Sequence, residues 1–173
     1  MSIFTRLRTY LFHRKIDRIP HTTQRKGLIN PSRKICLFFK VSHSNQFASL
    51  LRFRTWLIAQ EKSIEMILYA DKIPDFELPD SMYLLIRKDL NWLFIPKEKV
   101  LEALPELEFD LLINLNRTQV DALHYLTVRS RAGLKVGFYP TREKVFDLLI
   151  DTPTDGLDRD IALVKETIGQ ISV

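Results

Sequence analysis

Lys34-Ile35-Cys36-Leu37-Phe38-Phe39-Lys40-Val41-Ser42-His43-Ser44-Asn45 decides the fold. Ile35–Val41 is an unbroken apolar run rich in β-formers, and such runs read as strands buried on both faces. Ser42 to Asn45 then offer several residues suited to a helix N-cap. A helix is expected to about Gln60, with Phe47, Leu50, Leu51, Phe53, Leu57 and Ile58 as its apolar positions. A strand leading directly into a helix is half of a βαβ unit.

The same alternation continues downstream. Ile64–Ala70 and Met82–Arg87 read as strands. Trp92-Leu93-Phe94-Ile95 is a short apolar run open to a strand reading, and Pro96 could open a helix through Leu104. Phe109–Leu115 is the clearest strand after the first. Arg117–Arg131 reads as a helix stopped near Gly133 in the C-cap role. Leu134–Tyr139 and Phe146–Asp151 are further strands. After Asp155-Gly156, a last helix presents Leu157, Ile161, Val164, Ile168 and Ile171 at helical spacing. Continuous apolar strands alternating with helices predict an α/β fold. The expected form is a single Rossmann-like three-layer sandwich with a mostly parallel sheet, over residues 34–173.

Before this body, residues 3–18 read as a basic amphipathic helix and 20–33 as a linker ended by Ile19-Pro20 on one side. Ile3, Phe4, Leu7, Tyr10 and Leu11 fall on one face at helical spacing. Phe12 and Ile16 lie off it. The first 33 residues hold eight Lys/Arg (Arg6, Arg8, Arg14, Lys15, Arg18, Arg25, Lys26 and Arg33) against one acid, Asp17. The rest holds 18 basic and 20 acidic residues, so the excess charge belongs to the arm. Such an arm is expected to bind a polyanion, either RNA or the ribosome, or an anionic membrane surface. The other outcome is that it docks on the body and turns its charges to water.

Composition excludes several classes. One cysteine, Cys36, inside an apolar run, allows no internal disulfide and fits a reducing compartment. No stretch approaches the roughly 18 apolar residues of a membrane span. Arg6, Arg8, Arg14 and Lys15 interrupt any secretory signal, though an Arg-rich N-terminus also fits a transit peptide. The expected location is therefore cytoplasmic, or peripheral to the membrane. Neither G-x-G-x-x-G nor a Walker A loop occurs, since the first strand-to-helix turn lacks glycine. No G-x-S-x-G elbow occurs either. Four dispersed histidines and one cysteine show no metal-ligand spacing. His13 and His21 belong to the arm, and His124 reads as a packed mid-helix residue. Asp151 to Gly156 reads as a turn and helix cap instead of a calcium loop. No cofactor is implied.

In an open α/β sheet, ligands bind beyond the strand C-termini where the strand order switches. With order 3-2-1-4-5 this crevice brings together Ser42, His43, Ser44 and Asn45 with Asn114, Asn116 and Arg117, and Asp151 and Thr152 leave the final strand at the same edge. The cluster could hold a small anion at a helix N-terminus. In the plainer reading Ser44 or Asn45 and Asn116 are N-caps, and His43 and Arg117 face water.

Two segments carry a family resemblance, Phe109-Asp110-Leu111-Leu112-Ile113-Asn114-Leu115 and Ser130-Arg131-Ala132-Gly133-Leu134-Lys135-Val136-Gly137-Phe138-Tyr139, followed by Phe146 to Asp151. With the basic leading helix, they resemble an uncharacterised family of short bacterial proteins, a domain of unknown function. That resemblance implies an α/β body and no assigned activity. More distantly, the same segments are similar to the N-terminal half of heptosyltransferase-type glycosyltransferases with two Rossmann-like domains. Asn114 stands where that pattern has a second acid, His43-Ser44-Asn45 replaces its glycine–acid pair, and no donor-binding second domain follows. The resemblance thus implies the fold and argues against the reaction. The leading expectation is a non-catalytic binding or adaptor protein. The alternatives are a minimal transferase-like enzyme or small-anion binder at the crevice, and a subunit with a protein partner on its acidic body.

Overall fold

The computed structural model describes residues 3–20, 34–79, 82–138, 145–151 and 156–171. Among these residues six strands form one sheet: β1 (Lys34–Lys40), β2 (Ser63–Ala70), β3 (Met82–Ile86), β4 (Glu108–Asn114), β5 (Arg131–Phe138) and β6 (Leu148–Ile150). Their order is β3-β2-β1-β4-β5-β6, and every pairing is parallel. The chain runs outward from β1 to β3, returns to β4 beside β1, and runs outward again. The order switches between β1 and β4, where the sequence reading placed it.

Helices cover both faces. α2 (Ser44–Ile58) and α5 (Leu157–Ile171) lie on one, burying Phe47, Leu50, Phe53 and Leu57 with Ile161 and Val164. Among the described residues no helix joins β2 to β3. The connecting segment instead stacks Phe76 on Phe47, ring centroids 4.0 Å apart, and so covers the same face with a loop. The other face is covered by α1 (Ile3–Ile16), the short α3 (Glu98–Ala103) and α4 (Asp121–Arg129). α4 is enclosed between neighbours, and Ala122 through Val128 are all buried.

Three local expectations are corrected. The stretch at Trp92 is a turn and not a strand. Asn91 Oδ1 accepts the backbone N–H groups of Leu93 at 2.8 Å and Ile95 at 3.2 Å. Phe94 adopts φ 62°, and Leu90 bridges Pro96 in antiparallel fashion. Pro96 therefore precedes the N-cap Lys97 of α3 and does not open the helix. The helix expected over 117–131 is shorter, and Gly133 does not cap it. Ser130 takes the C-cap with ψ 146° and its Oγ donates to Thr127 O at 2.8 Å. Arg131 then starts β5 at once, its N–H bonding to Leu107 O, so Gly133 lies inside the strand.

α1 does not pack through the apolar stripe of its sequence. Phe12 and Ile16 are its buried residues, each 1% exposed. Ile3, Phe4, Leu7 and Tyr10 are 87%, 69%, 50% and 61% exposed. Arg8 explains part of this choice. It lies on the docking side, where Asp121 and the Phe94 ring receive its guanidinium. Packing the sequence's best apolar stripe would have turned Arg8 out of those contacts.

Candidate functional site

The crevice at the switch point is built largely from residues that satisfy one another. Asn114, at the end of β4, is buried. Its Nδ2 donates to Thr127 Oγ1 at 3.3 Å, while its Oδ1 accepts from the N–H of Asn116 at 3.1 Å and from Asn116 Nδ2 at 2.7 Å. Asn116 Oδ1 accepts the Lys40 N–H at 2.8 Å, and Asn116 Nδ2 also approaches Phe38 O at 3.4 Å. Asn116 thus splices β1 to β4 where their ladder ends and is not a helix cap, since the N-cap of α4 is Val120. Arg117 makes a two-pronged ion pair with Asp160 of α5, Nε to Oδ2 at 3.0 Å and Nη2 to Oδ1. Asp160 is 3% exposed.

On the other wall, His43 is the N-cap of α2. Gln46 Oε1 reaches back to accept the N–H groups of Ser42 at 2.9 Å and His43 at 3.2 Å. Asn45 Oδ1 accepts the Gln46 N–H at 2.8 Å. Ser42, His43, Ser44 and Asn45 are exposed. The structure therefore brings Asn114 and Asn116 together, ties Arg117 to α5, and leaves the His43 loop facing solvent. Asp151 is exposed at this end, whereas Thr152 lies outside the described residues. His124 is the packed residue its sequence suggested, 2% exposed with its ring 6.4 Å from Phe12.

Beside the crevice, Lys40 Nζ pairs with Asp71 at 2.7 Å. The hydrogen bond from Lys40 holds the Asp71 carboxyl below its ordinary range. Burial and the neighbouring Asp71 push the Tyr69 phenol up to about 12. Elsewhere, burial raises Cys36 far above the usual thiol value and lowers Lys135. Among the described residues no group of three His, Cys, Asp or Glu could hold a metal ion.

The second candidate is the outer side of α1. Arg6, Arg14, Lys15 and Arg18 are exposed there, among the exposed Ile3, Phe4, Leu7 and Tyr10. Arg8 is set apart from this group. Its Nη1 bonds Asp121 Oδ2 at 2.8 Å, and its guanidinium lies 4.3 Å from the Phe94 centroid. Arg87 approaches the same ring at 4.1 Å. Arg25, Lys26 and Arg33 lie outside the described residues. Trp92, at the tip of the Asn91 turn, is 52% exposed and 6.5 Å from Phe4 ring to ring. Between α1 and this turn lies a groove of about 570 Å³. Leu11, Ile19, Trp92, Leu93 and Tyr125 form its apolar lining, with Arg14, Lys15 and Arg18 along one side.

Sequence reading missed Trp92, Leu93 and Tyr125 as neighbours of the arm. The available signal was Asn91 before an apolar run too short for a confident strand. Its use as a turn depends on Phe94 accepting a left-handed backbone.

The model of a family of unknown function, DUF6913, matches residues 8–167. No curated protein and no solved structure matches the chain, so the likeness to heptosyltransferase-type enzymes gains no support from either.

Proposed function

We propose that this chain, which belongs to the DUF6913 family of unknown function, is a binding protein that attaches to an anionic lipid surface through the outer side of α1. The observation that carries this reading is the mixed character of that side. Ile3, Phe4, Leu7 and Tyr10 face water beside Arg6, Arg14, Lys15 and Arg18, while Phe12 and Ile16 anchor the helix from behind. Aliphatic side chains gain from the boundary between headgroups and acyl chains, and each nearby Lys or Arg adds about 1 kcal/mol of attraction to an anionic leaflet. Trp92 and Tyr10 suit the same boundary, where amphipathic rings concentrate. Among the described residues no helix is long and apolar enough to cross a membrane, so attachment would be peripheral. The proposed location is the cytoplasmic side, in keeping with a lone, buried Cys36.

RNA or ribosomal phosphate is the second reading. The observation favouring it is that Arg25, Lys26 and Arg33 continue the charge beyond α1. A small-anion or transferase-like role at the crevice has less support, because Asn114, Asn116 and Arg117 already bond one another, β1 and Asp160.

Flotation with phosphatidylcholine vesicles, with and without phosphatidylglycerol, tests the proposal against a structured RNA. Salt-sensitive recovery with the anionic vesicles, lost when Arg6, Arg14, Lys15 and Arg18 are all changed to Glu, is the expected result. Retention on RNA with no recovery on vesicles transfers the arm to nucleic acid. Recovery of the quadruple variant on vesicles ends the proposal.

A further inference from the structure

The groove between α1 and the Asn91 turn has two chemically distinct parts. Leu11 and Leu93 are half-buried and Tyr125 is buried, which makes an apolar floor. Arg14, Lys15 and Arg18 are exposed along one rim, and among the described residues no carboxylate lines the groove. Arg14, Lys15 and Arg18 share this stretch with a single acid, Asp17, so the rim keeps a net positive charge that favours an anion. At about 570 Å³ the groove falls in the ~300–1,000 Å³ range of small-molecule sites.

The wall at Trp92 is held in place before any ligand arrives. Asn91 Oδ1 fixes the turn through two backbone N–H groups, and Lys97 N–H bonds Asp89 O at 2.9 Å across its base. A half-exposed indole on a braced turn loses little freedom when something packs against it. The complementary guest has a flexible apolar portion for the floor and an anionic head for the rim.

We infer that the groove seats one acyl chain of an anionic phospholipid, with its phosphate on Arg14, Lys15 and Arg18. This rests on the lipid-surface reading above and adds that a single lipid molecule is recognised, beyond general attraction to a charged surface. A nucleotide base could stack on Trp92, but the aliphatic floor at Leu11 and Leu93 offers it no matching hydrogen bonds.

Calorimetric titration of the full chain with dioctanoyl phosphatidylglycerol, held below its micelle concentration, separates the two claims. Saturable binding is expected, with glycerol phosphate and dioctanoyl phosphatidylcholine each binding at least tenfold more weakly. Trp92→Ala and Leu11→Gln should each weaken the lipid tenfold or more while circular dichroism stays unchanged. If the monomeric lipid does not bind although anionic vesicles still recover the protein, the groove inference fails and surface attachment stands. If glycerol phosphate binds equally well, the chain plays no part and the inference also fails. Loss of both monomer and vesicle binding removes both claims.

Discussion

Arg8 of α1 donates from Nη1 to Asp121 Oδ2 in the first turn of α4 at 2.8 Å, with both side chains only about one-fifth exposed. Each side is supported again. The Arg8 guanidinium also lies over Phe94, and Asp121 stands at a helix N-terminus where an anion is favoured. This contact joins the arm to the body and fixes which side of α1 faces outward. Arg8→Ala should cost about 1 kcal/mol in urea unfolding, combining a partly screened ion pair with a cation–π contact. Asp121→Ala should cost a similar amount, and the double variant less than the sum of the two. Full additivity would mean that the pair is incidental.

The inverted face of α1 makes a sharper claim. Phe12→Ala removes a ring that is 1% exposed and should cost about 3–5 kcal/mol. Phe4→Ala and Leu7→Ala, on the side the sequence pattern favoured, should each stay within about 0.5 kcal/mol of the parent. Chemical denaturation of the three variants decides between the two faces.

The fold was largely legible. Ile35–Val41 and Phe109–Leu115 are runs that only a two-sided burial explains, and they became the central pair β1 and β4. The stripe Leu157, Ile161, Val164, Ile168 found its place on α5. The face of α1 was not legible, because Ile3, Phe4, Leu7 and Tyr10 form a tidier stripe than Phe12 and Ile16. The packing also depends on a partner for Arg8 more than 100 residues away. The position of the crevice followed from topology alone. Its state did not, since Asp160, which engages Arg117, lies 43 residues further along the chain.

That pair carries the next prediction. Asp160→Ala would leave the Arg117 guanidinium, whose side chain is 20% exposed, without its two-pronged partner. Arg117 keeps its approach to the Phe138 ring, so a loss of about 1.5–3 kcal/mol is expected from removing the charge-assisted bonds alone. A loss under about 0.5 kcal/mol would mean that Arg117 is readily released and available to a ligand in the crevice.

Tyr69 gives the pH dependence. Its folded-state value of about 12 stands above the unfolded value near 10, so the folded state holds the proton more tightly. The stabilisation is complete below about pH 10 and is lost as pH rises from there toward 12. Tyr69→Phe should flatten that alkaline decline in a series of thermal melts. Asp71 works at the other end. Its lowered carboxyl contributes above about pH 4 and ceases to contribute as pH falls through the folded value. The Asp71 side chain is well exposed, so the acid effect should be small and weakened by salt.

The most direct test of surface attachment uses Trp92 itself. With Trp56 changed to Phe, Trp92 is the one remaining tryptophan. Its fluorescence would be followed as equimolar phosphatidylcholine and phosphatidylglycerol vesicles carrying brominated acyl chains are added. A blue shift with quenching by bromines near the headgroup, reversed by salt, is the predicted result. An unshifted, unquenched Trp92 on vesicles that nonetheless bind the protein would contradict the assignment of α1 and its neighbouring turn as the attaching surface.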